Sequence, residues 1–384
     1  MGRATVLRMN LAAGNGHMQG ILVGSGWHGQ LFAAEMSALV GKVNPLFGAQ
    51  RLLSSATHIT ASDLSFSATL DDLLQPAAHI VISGEPKVVK EDDLKNAFAE
   101  WLTTTSLTPE MGTVAVRPTR HGERVSGWSA SAFAGHLGAV LSAVGWSIDL
   151  ENPQVEIGLV VNCQSGLIAW GVSHFSEPPR VGWKQRSPTQ RPFFKPVSLD
   201  PRHARLMLNL VRSQGVILDP MCGTGGIGVE ASLMGISSLS LDLDKEMVAG
   251  AKQNFSWALG NGATAEAGLQ VGDATELPNI LDATILEEIT GVCVDPPYGR
   301  NAWRSEEAGN LFIRVCASTR KVVGEGSYLV CMLPCEASDD EKIYGQSWVE
   351  ICAAMEEVGW KVNGKWLIPV HASMVRVMVL ARTA

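Results

Sequence analysis

The run Val292-Cys293-Val294-Asp295-Pro296-Pro297-Tyr298-Gly299 joins an apolar, strand-like stretch to a carboxylate, two prolines and an aromatic ring. An amino nitrogen on a heteroaromatic ring is a poor nucleophile, because its lone pair is delocalised into the ring. Acceptors that grip its N–H groups favour the pyramidal nitrogen that can attack an electrophilic carbon. The Asp295 carboxylate and the Pro296 carbonyl form such a pair, and the adjacent prolines hold that carbonyl rigid. Tyr298 can stack on the face of a base extruded from its helix, with Pro297 beside it as a further substrate contact. In isolation the same run is also a strand-ending turn, since Pro-Pro stops a strand anyway.

Upstream, Val216-Ile217-Leu218-Asp219-Pro220-Met221-Cys222-Gly223-Thr224-Gly225-Gly226-Ile227-Gly228 reads as a buried strand, a glycine-rich turn and a helix start. Gly223 and Gly225 permit a tight turn and let backbone N–H groups approach a ligand closely. Asp219, Cys222, Gly223, Thr224 and Gly225 are therefore candidate contacts to a nucleoside-containing cofactor. Gly223, Gly225 and Gly228 also satisfy GxGxxG, which keeps a nicotinamide-dependent dehydrogenase open as a reading of this stretch.

Two further acids follow at strand ends. Asp242, next to Leu243, closes the run from Ser238 to Leu241 and is placed to accept from ribose hydroxyls. Asp244 suits a helix N-cap better, because Lys245, Glu246 and Met247 begin the next helix. In Gly272-Asp273-Ala274 the carboxylate can accept from an adenine amino group, although an acid after a strand can also be a simple cap. In a sheet of this kind the first and fourth strands are neighbours, so a ligand on the glycine turn and a base on Asp295 would meet. Hydride transfer has no use for the Asp-Pro-Pro-Tyr run, and the dehydrogenase reading loses.

From residue 199 onward, apolar runs at 215–218, 238–241, 269–271, 291–294 and 327–333 alternate with helical stretches. That rhythm predicts a mostly parallel α/β sheet covered on both faces. Trp366 to Val370 and Met374 to Leu380 predict a closing antiparallel hairpin. Before residue 176 the texture is mixed α+β. Helices are expected over Leu31 to Val40, Glu91 to Leu102 and Ser131 to Val144. Strands are expected around 52–59, 66–70, 79–83, 113–117, 155–161 and 166–172. Periodicity fades near 176–198, which reads as a linker.

The chain has 384 residues, enough for two or three domains, with 46% hydrophobic and 18% charged residues. No apolar run reaches the ~18–20 residues of a membrane span, so no membrane partner is expected. The N-terminus has no apolar core of a secretory signal. Seven cysteines without a CxxC pair predict neither a disulfide framework nor a metal site, and Cys331 and Cys335 read as buried thiols. A reducing, cytoplasmic location is expected. The net charge of −8 argues against a nucleic-acid partner. Its distribution argues the other way: Arg180 to Arg212 holds eight basic residues against Asp200 alone. Arg186, Arg191 and Lys195 in that segment, with Arg117 further upstream, are candidate phosphate contacts. A solvated linker is the alternative.

These residues resemble class I amino-methyltransferases with a (D/N)PP(Y/F) motif, which use S-adenosyl-L-methionine. Arg191 to Leu210 is similar to the segment preceding the catalytic domain of THUMP-containing tRNA guanine N2-methyltransferases. So are Asp219 to Ile227, and Met247, Gly250, Ala251 and Asn254. Asp295-Pro-Pro-Tyr-Gly-Arg300 resembles the archaeal and eukaryotic branch that acts on guanine 10. Thr113 to Arg117 and Ile148 to Ile157 resemble THUMP strands. Leu31 to Leu39 is the main likeness to the ferredoxin-like domain that accompanies THUMP.

The resemblance implies a Rossmann-like, seven-stranded methyltransferase domain over 199–384 and a basic linker over 183–198. Before them it implies a ferredoxin-like domain over 1–105 and a THUMP RNA-binding domain over 106–182. It also implies tRNA as partner, not DNA, and one or two methyl groups added to guanine N2. Asp295, Pro296 and Tyr298 would be catalytic, and Asp219, Cys222, Gly223, Thr224, Gly225, Asp242, Leu243, Asp273 and Ala274 would bind the cofactor. Some members work with a small zinc-binding activator subunit. Lys195 stands where many members carry His. A sister branch acting on guanine 6, an rRNA enzyme, and a silent tRNA-binding module are the competing readings.

Overall fold

The computed structural model describes residues 6–9, 20–55, 59–84, 87–179, 182–196, 198–260, 267–296, 306–336, 339–371 and 374–383. The chain divides into two compact units, Met1–Val181 and Gly182–Ala384.

In the first unit the elements run β1 (Val6–Met9), β2 (Ile21–Gly24), α1 (Gly29–Val40), β3 (Val43–Leu46), β4 (Ala49–Ser55), α2 (Ala61–Leu64) and β5 (Leu70–Ile82). They continue as α3 (Glu91–Thr104), β6 (Thr113–His121), α4 (Ala130–Ala143), β7 (Ser147–Ile148), β8 (Val155–Asn162) and β9 (Leu167–Ser173). One sheet in the order β3-β4-β2-β5-β9-β8-β6-β7, with β1 also on β5, runs through the unit. The expected boundary at 105/106 falls inside this unit, because β5 pairs antiparallel with β9 across it. The runs expected at 66–70 and 79–83 flank or belong to the single long strand β5, whose pattern is interrupted by Asp71, Asp72, Gln75 and Pro76.

The second unit carries α5 (Pro201–Val211), β10 (Val216–Asp219), α6 (Gly226–Leu233), β11 (Ser238–Asp242), α7 (Lys245–Leu259), β12 (Ala267–Val271), α8 (Leu277–Ile280), α9 (Ala283–Leu286) and β13 (Ile289–Val294). After these come α10 (Glu306–Arg320), β14 (Tyr328–Glu336), β15 (Asp339–Ile343), β16 (Gln346–Ser347), α11 (Trp348–Glu357), β17 (Trp360–His371) and β18 (Met374–Thr383). Strands β12-β11-β10-β13-β14 are parallel, then β18 pairs antiparallel with β14 and β17 with β18. These seven strands make the expected mostly parallel sheet, with the first and fourth strands as neighbours and an antiparallel hairpin at the close. The observed sheet nevertheless has nine strands.

The two extra strands have a physical origin in the length of β14. Its pairing with β13 ends at Val294↔Cys331, while the strand continues to Glu336. Backbone groups on that edge would be left without sheet partners. β15 supplies them at Cys335↔Ile343, and β16 closes on β15. Apolar side chains from β10, β11, β13, β14 and β18 meet α10 and α11 in one core that includes Leu218, Leu241, Val292, Phe312, Leu333 and Trp360. Burial on both faces is what makes the parallel strands read as continuous apolar runs.

Candidate active site

The C-terminal ends of β10, β11 and β13 and the loop after β12 open onto one cavity of about 290 Å³. Its floor is the turn between β10 and α6. Gly223 and Gly225 hold φ of 51° and 79°, the left-handed region that costs glycine least. A Cβ on Gly223 would meet nothing within 4 Å, so this backbone faces open space. Gly225 differs: a Cβ there would lie 2.9 Å from the Ala251 Cβ. Gly225 does not line the cavity, contrary to expectation, because its bareness serves the packing of α6 on α7.

Asp242 accepts from the Gly223 N–H at 2.8 Å through Oδ2 and from the Asp244 N–H at 2.9 Å through Oδ1. It thereby ties the end of β11 to the glycine turn while lining the cavity. Asp244 caps α7 through the Glu246 N–H at 2.8 Å, as expected. Leu243 is 73% exposed although it is a large apolar residue, which suits a flat apolar face lying against it. Asp273 Oδ1 accepts from the backbone and hydroxyl of Thr275, both at 2.8 Å, which lowers its pKa. Ala274, Met247 and Leu311 complete the apolar wall.

At the other end, Asp219 and Asp295 lie under the cavity. Asp219 is 1% exposed, and neither carboxylate oxygen has a well-formed hydrogen bond among the described residues. Burial pushes its pKa far up and neighbouring Asp295 adds to that, with the Met221 N–H opposing. Burial also raises Asp295 to about 6, against the pull of the Arg376 guanidinium. Arg376 Nη2 donates to Asp295 Oδ1 from β18. Pro296 sits beside Asp295 in the cavity wall. Pro297 and Tyr298 lie outside the described residues.

Burial raises the Cys222 thiol well above its ordinary range, so this thiol lines the cavity as a small neutral group. Cys331 and Cys335 are buried free thiols. No described helix is long and apolar enough to cross a membrane.

The segment expected as a basic linker is part of the second unit. Asn254, fully buried on α7, accepts from the Phe193 N–H and donates to the Phe193 and Thr224 carbonyls, each at 2.9 Å. The Phe193 ring lies over Gly250, where a Cβ would come within 2.1 Å of it. Arg186 pairs with Glu230 at 2.8 Å, and Arg205 of α5 pairs with the same buried carboxylate at 2.7 Å. Arg191, 5% exposed, donates to the Leu199 carbonyl at 3.0 Å and the Arg186 carbonyl at 3.1 Å.

The phosphate contacts predicted for Arg186 and Arg191 are therefore corrected, because these cations are engaged inside the unit. Lys195 is paired with Glu246 at 2.7 Å on the surface. Arg117, in the first unit, pairs with Glu156 at 3.0 Å and donates to the Leu150 carbonyl at 2.9 Å. Sequence reasoning missed Ser198 and Leu199, which this segment contributes to the cavity. It also missed Arg376, whose only sequence signal is a lone cation in the apolar run Met374-Val-Arg-Val-Met-Val-Leu380.

The parallel sheet, its antiparallel close and a cavity across the first and fourth strands define a class I methyltransferase fold. Residues 188–357 match the family model described as UPF0020, RMKL-like, methyltransferase domain. The chain is 29% identical over 240 residues to the tRNA (guanine(10)-N2)-dimethyltransferase of Pyrococcus abyssi (strain GE5 / Orsay), covering 62% of this chain and 65% of that protein. It is 29% identical over 246 residues to the protein of the same name from Methanothermobacter thermautotrophicus, covering 63% and 66%. The matches thus span just under two thirds of the length of these relatives. The crystal structure of TrmN from Thermus thermophilus shares the fold, with a TM-score of 0.51 at 16% identity, over 95% of this chain and 99% of that one.

Proposed function

We propose that the chain transfers a methyl group from S-adenosylmethionine to the exocyclic N2 of a guanine in tRNA, at the position 10 named for its relatives. The observation that carries this reading is Asp295, a nearly buried carboxylate lining the same cavity as the glycine turn. The cavity is lined by Asp219, Asp242, Asp244, Asp273 and Asp295, with no lysine or arginine among its described lining residues. Such a wall disfavours a pyrophosphate and suits a ligand with positive charge, beside which a buried carboxyl such as Asp219 ionises, and this favours a sulfonium amino acid over a dinucleotide. The buried Asp219 carboxylate fits an ammonium group, Asp242 fits ribose hydroxyls, and Leu243 with Asp273 fits an adenine. The cofactor supplies a methyl group made electrophilic by its sulfonium.

The chain's own residues do the rest. The ionised Asp295 accepts an N–H of the guanine amine, and the Pro296 carbonyl accepts the other, which localises the nitrogen lone pair. Tyr298 stacks on the base to keep it in line. The likeness of Thr113 to Arg117 and Ile148 to Ile157 to THUMP strands supports RNA contact by the first unit. There Arg120 and Arg124 are exposed cations suited to phosphate.

Nucleoside mass spectrometry of unmodified tRNA incubated with the chain and S-adenosylmethionine tests the reading. N2-methylguanosine or its dimethyl form at position 10 is expected. Unmodified guanosine there, or a methyl group on another nucleoside, overturns it.

A further inference from the structure

Asp295 is a hard residue to keep ionised where it stands. Its side chain is 11% exposed, so it is cut off from most of the water that would solvate its charge. Three described neighbours bring it no positive charge. Cys331 on β14 and Tyr344 after β15 are held neutral by burial. His203 on α5, near Arg376, is pushed down to about 4 and is neutral in the physiological range. The cation that meets Asp295 is Arg376, 6% exposed on β18, with Nη2 on Asp295 Oδ1.

β18 fixes where that guanidinium can go. Arg376 is paired in register with Pro334 of β14 on one side and Ile368 of β17 on the other, in the middle of the sheet. Val377 and Val379 are fully buried in the core, so the strand has no freedom to turn Arg376 outward. β13 and β14 are in turn paired at Val294↔Cys331, which places Asp295 one residue beyond the last rung. The sheet therefore delivers a cation from one strand to the carboxylate that follows another.

We infer that Arg376 is a positioning residue for methyl transfer, which holds the Asp295 carboxylate oriented and negatively charged so that it can grip the guanine amine. The inference rests on the proposed reaction for its activity readout. A charged donor on Oδ1 restricts rotation of the carboxylate and leaves its acceptor strength directed at the cavity that Asp295 lines. A neutral Asp295 could still offer one oxygen, but it would compete as a donor for the same amine.

The test compares Arg376→Met, Arg376→Gln and Arg376→Lys with the wild-type chain, with folding checked by circular dichroism. Cofactor affinity by calorimetry is expected to stay within about twofold, because Arg376 is absent from the cavity wall. At pH 7, kcat of Arg376→Met is expected to fall about 10²-fold with little change in KM for tRNA. The acid limb of its kcat–pH profile should move up by about 1–3 pH units, as expected when an opposite charge is removed from beside a carboxylate. Arg376→Lys should restore most of the limb position, and Arg376→Gln should not. An unshifted acid limb in the Met and Gln variants overturns the inference, whatever happens to the rate.

A carbon-13 titration of Asp295 in aspartate-labelled protein, assigned with Asp295→Asn, reads the ionisation of this carboxylate directly and without turnover. A midpoint that rises in Arg376→Gln supports the inference, and one that stays put overturns it. If the wild-type chain methylates no guanosine while this midpoint rises, the proposed reaction has failed and the role of Arg376 has not.

Discussion

The two ends of the cavity hold carboxylates in opposite ways. At the β11–β12 end, Asp242 and Asp273 accept backbone N–H groups at 2.8–2.9 Å and stay close to water. At the β10–β13 end, Asp219 is buried and Asp295 nearly so, their pKa values are raised, and the Arg376 guanidinium meets Asp295. Groups of the first kind serve recognition. In groups of the second kind burial opposes the charged form, so a change in surroundings alters their chemistry.

If that division holds, damage at the buried end should fall on rate. Asp295→Ala is expected to lower kcat by at least ~10²–10³, with cofactor affinity by calorimetry unchanged. A variant that turns over like wild type removes Asp295 from the reaction. The same end should respond to acid. Asp295, near 6, grips the amine without competing as a donor only when ionised, so kcat should rise with pH through about 6 and fall about tenfold per unit below it. A flat kcat profile from pH 5 to 8 would contradict this.

Damage at the glycine-turn end should fall on binding and stability. Asn254→Ala strands the buried Phe193 and Thr224 backbone groups and is expected to cost about 1–3 kcal/mol in urea unfolding. Asp242→Ala removes an acceptor for ribose hydroxyls, each worth ~1 kcal/mol, so cofactor Kd should rise roughly 5–30-fold. Saturating cofactor should recover kcat. A kcat defect that persists at saturation would erase the contrast between the two ends. Outside the cavity the smallest effect is expected: Arg120→Ala with Arg124→Ala should reduce the slope of log affinity for tRNA against log salt by roughly 1–2.

How legible each end is in the sequence follows from the same contrast. Recognition by backbone is local, and local patterns are readable. Gly223, Asp242, Asp244 and Asp273 each follow an apolar run, and all sit where the strand ends place them. The strands β10 to β14 are legible to within a few residues because burial on both faces leaves continuous apolar stretches. The buried end depends on partners far apart in the chain. Arg376 lies 81 residues from Asp295, and no spacing rule joins them. Asn254 and Phe193, 61 residues apart, are likewise joined only by the fold. The charge of Arg186 and Arg191 is visible, but its use is not, since a basic run looks the same whether it faces phosphate or a buried Glu230. The strand β5 reads in pieces because Asp71, Asp72 and Pro76 break its apolar pattern.

The anchoring of residues 183–198 has a consequence for where this architecture can be cut and recombined. The holds described above on that segment, among them Glu230, Asn254, Glu246 and the face of Gly250, belong to the second unit, so the segment is inherited with it. A junction near 181 carries the cover over α7 intact into any fusion. A junction at 199 strips it away, exposing the amide of Asn254 and the half-neutralised carboxylate of Glu230 and removing Ser198 from the cavity rim. Such a fragment would keep the glycine turn and the Asp295 run and still lack part of the cavity wall. For exchange of modules the effective start of the catalytic unit is Gly182, well ahead of its first strand.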